Sequence, residues 1–451
     1  MKVLERILST VLLTITFFAA TSLTAAAQTL LEKKFTASAD AEALLDLTAS
    51  SPGTSWGTAG AEAATATIFV DGRQHQDVML FSGAKPFTYK LMLGRVAAGE
   101  HSLRIVFNRQ QSAAQATTIK IADAKITLID RSHTEFPALA HTPFLFARPN
   151  TIGKFSDVPL MMYYETMKEG GLTTYRYTVI ISNEDGGTQT AALMARWGRT
   201  TDIEWVVDVQ VDAQGKVVNS TYQGVQHETK TFQGKREADH PLFLIKSDNN
   251  NFADALPAES DSAMRFTLRP VGVDLSNHSR EWVMDQHPWT HMIMAEEMTR
   301  EGKITTERTL GARIGDLRSY LYVDAASTQQ NGALLSFALK LKNDPKWYAS
   351  DLGISYYRID RSGYFRTTIR LPQGVTPDKV ERLAARCDLT GNPRSKEEIA
   401  KATAARCELN AINRVFLLDK DFQPAAALPV RSVSMTLPFG EAIELSLERK
   451  K

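Results

Sequence analysis

Short runs in which apolar and polar residues alternate recur along most of the chain. In the run 101–107, Leu103, Ile105 and Phe107 fall on one face, because successive side chains of a strand point to opposite sides. The run 202–211 alternates in the same way, and Gly, Asn and Asp separate many of the runs. The pattern predicts a mostly β protein with two β-sandwich-like domains.

Three segments depart from the strand pattern and predict helices. In 288–301, Pro288 stands at the start of a helix-forming run and Gly302 follows its end. The segments 377–387 and 396–407 each begin with capping residues and are separated by a Gly-Asn-Pro turn. The first predicts a helix within the larger domain, and the other two predict a short helical hairpin inserted near the C-terminus.

The first 27 residues have the organisation of a secretory signal peptide. Lys2 and Arg6 precede an apolar stretch from Val11 to Ala20, and Ala25–Ala27 supply small residues for cleavage. A retained anchor is the alternative, although polar residues interrupt the apolar stretch and a span needs about 20 apolar residues. Removal would place the mature protein outside the cytoplasm, in a bacterial periplasm or beyond it.

The rest of the chain is expected to form two domains joined by a linker. Residues 28–132 predict a small β-sandwich accessory domain, and 133–142 predict the linker. The region 143–451 predicts a larger β-rich domain, in which 193–197 is one of the expected strands. The phrase Val96–Arg104 resembles the final strands of accessory carbohydrate-binding or immunoglobulin-like modules. That resemblance implies a sandwich fold for the first domain.

Charge and cysteine content narrow the possible partners and the compartment. The 52 basic and 51 acidic residues nearly cancel, which gives no electrostatic reason to expect nucleic acid or an anionic membrane as a partner. The two cysteines, Cys387 and Cys407, each end one of the predicted C-terminal helices. Export permits a disulfide, and two ligands are too few for an ordinary metal site. We predict a Cys387–Cys407 disulfide, with free thiols as the alternative.

The predicted strand 202–211 carries the densest group of candidate catalytic residues. Asp202, Glu204 and Asp208 would share its polar face. Five apolar residues would share the opposite face: Ile203, Trp205, Val207, Val209 and Val211. Asp202 and Glu204 would have Cα atoms about 6.6 Å apart, and two carboxylates near that separation can hydrolyse a glycosidic bond. They are the candidate catalytic residues, and an ordinary solvated strand face is the alternative.

Residues around this strand are candidates for ligand binding. Arg196 and Arg199 carry guanidinium groups of the kind that hold anionic groups, and Trp197 offers an aromatic surface for a sugar. His227 and Asp248 lie in polar loops further along the chain. We expect these five residues to contact a ligand.

The segment Thr201–Trp205 carries two family resemblances. It is similar to part of the Glu-x-Asp-x-Glu strand of β-jelly-roll glucanases, whose first Glu is the nucleophile and whose last Glu is the acid/base. Thr200 stands at the nucleophile position, so only Asp202 and Glu204 match. The segment also resembles the Gly-Asp-Trp-Glu type strand of Vps62-like β-rich proteins.

A later segment extends the second of these resemblances. Vps62-like proteins carry a His-Pro-aliphatic strand downstream, to which Asp239–Phe243 corresponds, with His227 and Glu228 between the two segments. The resemblance implies a β-rich fold for the C-terminal domain, and it brings no activity with it.

Two sets of residues have the chemistry of metal ligands. His287 and His291 have i, i+4 spacing, but Pro288 disfavours helix at the residue before it. The polar loop 249–251 offers oxygen ligands that suit calcium, without the spacing of an EF-hand. No metal site is predicted, and calcium is the alternative cofactor. The P-loop and the Rossmann fingerprint are absent, so nucleotide cofactors are not expected.

Together these patterns favour an exported protein that binds a glycan or another cell-surface component. The alternatives are a carbohydrate-active hydrolase that uses Asp202 and Glu204, and a structural envelope protein. Converging carboxylates in a cleft would favour the enzyme, and a shallow face lined by aromatic residues would favour binding. A flat polar surface would favour the structural role.

Overall fold

The computed structural model describes residues 28–148, 155–184, 186–256, 263–307, 310–389, 404–431 and 434–447. The predicted signal peptide, 1–27, lies outside these residues. Within the described ranges, no helix is long and apolar enough to cross a membrane.

The N-terminal part of the fold is an antiparallel β-sandwich. Its strands are β1 (Thr29–Ala37), β2 (Ala41–Ser50), β3 (Thr65–Val70), β4 (Arg73–Met79), β5 (Phe87–Val96), β6 (Gly99–Phe107) and β7 (Lys120–Asp130). One sheet has the order β1-β6-β3-β4 and the other the order β5-β2-β7. The alternation predicted for β6 is confirmed, because Leu103, Ile105 and Phe107 are all buried in the hydrophobic core.

The middle of the chain forms a second pair of sheets. Their strands are β8 (Phe144–Phe146), β9 (Pro159–Glu169), β10 (Leu172–Ile181), β11 (Asp202–Val211), β12 (Val217–Gln223), β13 (Thr229–Thr231), β14 (Arg236–Glu237), β15 (His240–Ile245), β16 (Phe252–Ala253), β17 (Arg265–Phe266) and β18 (Val271–Gly272). The larger sheet has the order β13-β12-β11-β10-β9-β18. The smaller has the order β14-β15-β8-β17, with β16 paired to β15. Their apolar residues continue the core of the N-terminal sandwich.

The C-terminal part forms a third pair of sheets with a separate core. Its strands are β19 (Tyr320–Gln330), β20 (Ala333–Leu341), β21 (Trp347–Ala349), β22 (Gly363–Arg370), β23 (Val380–Leu389), β24 (Arg406–Phe416), β25 (Met435–Leu437) and β26 (Ala442–Leu445). The sheet orders are β22-β19-β24-β25 and β21-β20-β23-β26, and a distinct cluster of buried apolar residues fills the space they share. The mostly β fold class is confirmed.

Short helices join and cover the sheets. They are α1 (Phe136–Ala140), α2 (Thr190–Trp197), α3 (Trp282–Gln286) and α4 (Trp289–Arg300). The helix predicted at 288–301 is confirmed as α4, which begins after Pro288. The segment 133–142, expected to be a linker, contains α1, whose Phe136 and Leu139 are buried.

The strand predicted at 193–197 is wrong, because this segment forms the end of α2. Gly198 adopts a left-handed backbone with φ of 65° and donates its N–H to the Met194 carbonyl, which ends the helix. The hydroxyls of Thr367 and Thr368 on β22 donate to the carbonyls of Ala195 and Met194. Tertiary partners therefore satisfy the helix end, which the local sequence does not reveal.

The predicted C-terminal helical hairpin is also wrong where it can be compared. The capping residues begin only a short 3₁₀ turn at Pro377–Lys379, and Val380–Leu389 is strand β23, paired with β20. Residues 396–403 of the second predicted helix lie outside the described residues. The end of that segment, from Arg406 onward, belongs to strand β24. Pairing with long neighbouring strands overrides the local capping signal.

The predicted disulfide is confirmed. Cys387 on β23 and Cys407 on β24 are bonded, with Cα atoms 5.7 Å apart. Since β23 and β24 belong to different sheets, the bond joins the two layers of the C-terminal sandwich. The cysteines are buried within its core.

Candidate functional site

Strand β11 contains a bulge that changes which of its side chains share a face. Thr178 on β10 pairs with Trp205, whereas the adjacent Tyr177 pairs with Val207, so Val206 is the extra residue. Trp205 and Val207 therefore lie on opposite faces. The expected single apolar face of β11 is wrong for this reason.

The bulge also separates the three acidic residues of β11. Asp202 and Glu204 keep one face, which they share with the valines beyond the bulge. Asp208 lies on the other face and forms a bidentate ion pair with Arg176 at 2.8 and 2.7 Å. The guanidinium of Arg176 lies 5.4 Å from the centre of the Trp205 ring, which agrees with Trp205 and Asp208 sharing a face.

Asp202 and Glu204 line a polar cleft of about 370 Å³ at the end of β11. Its lining residues are Glu184, Gly187, Thr188, Trp197, Arg199, Asp202, Glu204, Trp205, Gln223, His227, Asn249 and Arg280. The two carboxylic side chains of β11 are buried rather than spread over open solvent. The strand end, the end of α2 and two loops therefore converge on one concavity. We call it the polar cleft.

A chain of hydrogen bonds crosses the polar cleft from Glu204 to Glu184. The amide of Gln223 donates to Glu204 and lies 2.8 Å from Nδ1 of His227. With the Asn249 amide oriented to accept from Nε2 of His227 at 3.0 Å, its nitrogen donates to Glu184 at 2.9 Å. These partners assign the imidazole proton to Nε2. The chain joins two carboxylic groups far apart in sequence.

The loop that carries His227 has an uncommon backbone conformation. Gln226 and His227 both have positive φ, at 62° and 60°, a region that non-glycine residues rarely occupy. Gln226 N donates to the buried Asn251 side chain at 3.2 Å, which helps to hold this turn. The conformation brings Nδ1 of His227 within 3.8 Å of Glu204. Such strain is commonly found at functional sites.

The arginines of the polar cleft are already engaged by protein groups. Arg199 is buried, donates to Glu281 at 3.2 Å and to the Thr201 carbonyl, and lies 3.7 Å from Asp202. Arg280 donates to the Ile203 carbonyl at 2.8 Å. They neutralise buried acids and brace β11, and they do not reach out as free anion-binding groups. The expectation that Arg199 holds an anionic ligand finds no support in this arrangement.

Burial and neighbouring charges raise the pKa of two acids in this region and lower the pKa of a third. Burial, followed by the charge of Asp202, raises the pKa of Glu204 well above its usual range. The same two causes raise the pKa of Glu184 to about 7. Burial would raise the pKa of Glu281 too, but the charges of Arg199 and Arg280 hold it below the ordinary value. Near neutral pH, the polar cleft can therefore hold protonated carboxylic groups.

Two of the expected ligand-binding residues lie beside the polar cleft rather than on its lining. One guanidinium nitrogen of Arg196 donates to both carboxylate oxygens of Asp360 at 2.8 Å, and the guanidinium lies over the rings of Trp197 and Tyr356. Asp248 is paired with Arg148 at 3.3 Å. The structure brings Trp197, Arg199 and His227 to the cleft with the two candidate catalytic residues. It places Arg196 and Asp248 around it.

Buried histidines that could act as metal ligands have other partners. His291 is buried and contacts Asp285 at 3.1 Å, and Asp285 is also paired with Arg366. His240 contacts Glu42 at 3.0 Å and stacks on Phe144. In the part of the chain that is described, no group of three His, Cys, Asp or Glu side chains is arranged to hold a metal ion.

Sequence reasoning missed several residues of the polar cleft. Glu184, Gln223 and Arg280 come from separate elements and belong to no motif, and Asn249 is predicted only as part of a polar loop that suits calcium. The adjacent glycines Gly186 and Gly187 are a sequence feature that points to this part of the cleft. A Cβ on Gly187 would come within 2.5 Å of the Asn249 side chain. Only glycine permits this close approach of the two loops.

The described residues form three pairs of β-sheets, and the polar cleft lies at the end of strand β11. No family model matches the chain, and no curated protein matches it. Among the solved structures that match are two of NLPPya, one in complex with mannosamine and one with glucosamine. They are 11% and 12% identical to this chain and cover 30% and 31% of it, and 70% and 72% of their own chains. Each has a TM-score of 0.23, a likeness that supports no assignment of function.

Proposed function

We propose that the polar cleft binds a saccharide. The observation that carries this proposal is the combination of Trp197, at the end of α2, with a hydrogen-bonded set of carboxylic, amide and imidazole groups in one concavity. Aromatic rings offer apolar faces, and planar polar side chains both donate to and accept from hydroxyl groups. A hydroxyl-rich ligand matches this lining better than an apolar one.

The charge of the cleft indicates the kind of saccharide. Glu184, Asp202 and Glu204 line it together with Arg199 and Arg280, and both arginines are engaged by protein groups. The raised pKa values of Glu184 and Glu204 favour their neutral forms, so the lining presents hydrogen-bonding groups rather than a free cation, which disfavours a uronic or sialic acid. A neutral or amino sugar is the expected ligand.

Binding is tested by alanine variants on the two faces of β11. Glu204→Ala removes a polar group from the cleft, and Asp208→Ala makes the same kind of change on the other face. A glycan array would identify a ligand, and calorimetry would give its affinity. We expect Glu204→Ala to weaken binding at least tenfold and Asp208→Ala to leave it within about twofold. Equal effects of the two variants, or an array without a hit, would reject the proposal.

A glycoside hydrolase is the second candidate, favoured by the raised pKa of Glu204 beside Asp202. Glu204 would protonate the leaving oxygen, and Asp202 would take a proton from the attacking water. Release of reducing ends from an array hit would distinguish hydrolysis from binding. If Asp202→Asn abolished binding but wild-type protein released no product, the site would be a binding site only.

We further propose that the protein is exported after removal of residues 1–27. The signal-like segment supports this, and the Cys387–Cys407 bond is of the kind that persists in oxidising compartments. Cleavage after Ala27 would leave Gln28 as the N-terminus. Intact mass of the protein recovered outside the cytoplasm tests this, and a mass that includes residues 1–27 would contradict it.

A further inference from the structure

A second concavity lies where the N-terminal sandwich meets the middle sheets and the start of α4. It has a volume of about 340 Å³ and shares no lining residue with the polar cleft. Its lining comes from β4, β5, β9, β17, β18 and their flanking residues. Backbone bonds hold the two sides together, since Met92 N donates to the Thr267 carbonyl at 2.8 Å and Arg269 N to the Lys90 carbonyl at 3.1 Å. We call it the apolar cavity.

The walls of this cavity are almost entirely hydrophobic. One wall is an aromatic cluster in which the ring of Trp289 stacks on Phe81 at 5.2 Å and meets Phe87 edge-on at 5.1 Å. The rest of the lining includes aliphatic and thioether side chains such as Leu160, Met161 and Leu268. A lining of this kind binds ligands by excluding apolar surface from water.

The mouth of the apolar cavity carries positive charge. Lys90 lies on the exposed part of the lining, and Arg269 is beside it. Both are paired with one carboxylate, Asp46, at 2.9 and 3.0 Å. Two cations therefore share a single acid, which leaves one positive charge at the entrance.

Three other titratable groups belong to the lining. Asp77 is buried and accepts hydrogen bonds from Thr67 and from the Arg265 amide, and burial raises the pKa of its carboxyl. Burial lowers the pKa of His287, which favours its neutral form. Tyr89 is buried, and burial raises the pKa of its hydroxyl. The apolar walls and the cationic mouth together suit an amphiphile with an anionic head.

We propose that the apolar cavity binds a single-chain fatty acid, with its hydrocarbon chain against the aromatic and aliphatic lining and its carboxylate at Lys90 and Arg269. The cavity volume corresponds to roughly eleven water-sized groups at about 30 Å³ each. A chain of about ten to twelve carbons would fill it. This inference is independent of the polar cleft and of its proposed saccharide.

Chain length gives the first test. Calorimetry with saturated carboxylates of eight to sixteen carbons, each below its micelle concentration, should show affinity rising roughly fourfold per methylene. The increase should stop near twelve carbons, where the cavity is full. An affinity that does not depend on chain length, or an absence of binding, would overturn the proposal.

The head group gives the second test. Dodecanoate should bind more tightly than dodecanol, and dodecyltrimethylammonium should bind most weakly. Lys90→Gln should weaken dodecanoate several-fold and leave dodecanol unchanged, whereas Lys168→Gln, at an exposed lysine far along β9, should change neither. Equal affinity for the three head groups would refute the role of the cationic mouth.

A filling substitution tests the location. Leu160→Trp adds volume to the aliphatic lining and should reduce dodecanoate binding at least tenfold. Unchanged binding by a folded Leu160→Trp protein would place the ligand elsewhere and overturn the proposal. If that variant does not fold, the comparison of Lys90→Gln with Lys168→Gln decides the location at the mouth.

Discussion

Glu297 on α4 is expected to make the stability of the protein depend on pH near neutrality. Its side chain is fully buried, accepts a hydrogen bond from Nε1 of Trp56 at 3.0 Å, and lies 3.4 Å from Arg300. Arg300 donates in turn to the Trp56 carbonyl at 3.0 Å. These contacts hold α4 against the N-terminal sandwich. Burial raises the pKa of Glu297 to about 8 in spite of the nearby arginine.

The direction of the pH effect follows from proton binding. With an ordinary pKa of 4.5 in the unfolded chain and about 8 in the folded one, the folded state keeps a proton that the unfolded state has lost. Stability should therefore fall as the pH rises from about 4.5 to 8. The change is at most about 1.4 kcal/mol per pH unit, which gives about 5 kcal/mol over the window as an upper limit.

Glu297→Gln isolates this effect, because the amide has the shape of the protonated acid and cannot lose a proton. Its oxygen can still accept from Trp56. Urea unfolding of both proteins from pH 5 to 9 gives the difference in unfolding free energy, in which the titration of all other groups cancels. We expect the variant to gain several kcal/mol over wild type between pH 5 and 8. Glu169→Gln, the same change at an exposed site on β9, should show a flat difference. A flat difference for Glu297→Gln as well would refute the reasoning.

Two further predictions concern the C-terminal sandwich and the end of α2. Replacing Cys387 and Cys407 by Ala should lower the unfolding free energy by about 3 kcal/mol, because the bond closes a loop of 20 residues. Reductant should lower the unfolding free energy of the wild-type protein by the same amount. A wild-type stability that does not respond to reductant would contradict this. Gly198→Ala should destabilise by about 1–3 kcal/mol, because φ is 65° and a Cβ would lie 2.8 Å from the Arg366 side chain. Gly215→Ala has a similar φ and open space around it, so thermal unfolding should show a smaller loss there, and equal losses would argue against the clash.

Local patterns predicted the strands better than the helices near the C-terminus. Alternation in β6 is a property of the pleated backbone itself, so it is visible in the sequence, whereas the bulge at Val206 interrupts it in β11. At 377–387, capping residues gave a helix signal, but pairing with β20 decides the outcome. The disulfide prediction is confirmed although the helices that were expected to carry the cysteines are wrong. The cysteines lie on strands of two different sheets. The redox argument depended on export and cysteine count, and not on the helices.

The polar cleft could be predicted from the sequence only in part: Trp197, Arg199 and His227 from their chemistry, and Asp202 and Glu204 from their spacing. Asp202 and Glu204 lie two residues apart on one strand, and strand periodicity alone puts them together. Glu184, Asn249 and Arg280 reach the cleft from a turn, a loop and the segment before α3. Their meeting depends on packing between elements, which a single sequence does not encode as a local pattern.

The bulge at Val206 shows how one residue changes the chemistry of the cleft. Without it, the acidic face of β11 would be continuous and solvated, as simple alternation implies. With it, Val207 and the later valines turn into the core on the same face as Asp202 and Glu204. The two acids therefore stand at the end of an apolar core, where burial raises the pKa of Glu204. A shift of one residue in the pairing thus puts Asp202 and Glu204 on the face of β11 that carries the core valines, rather than on a face shared with Asp208.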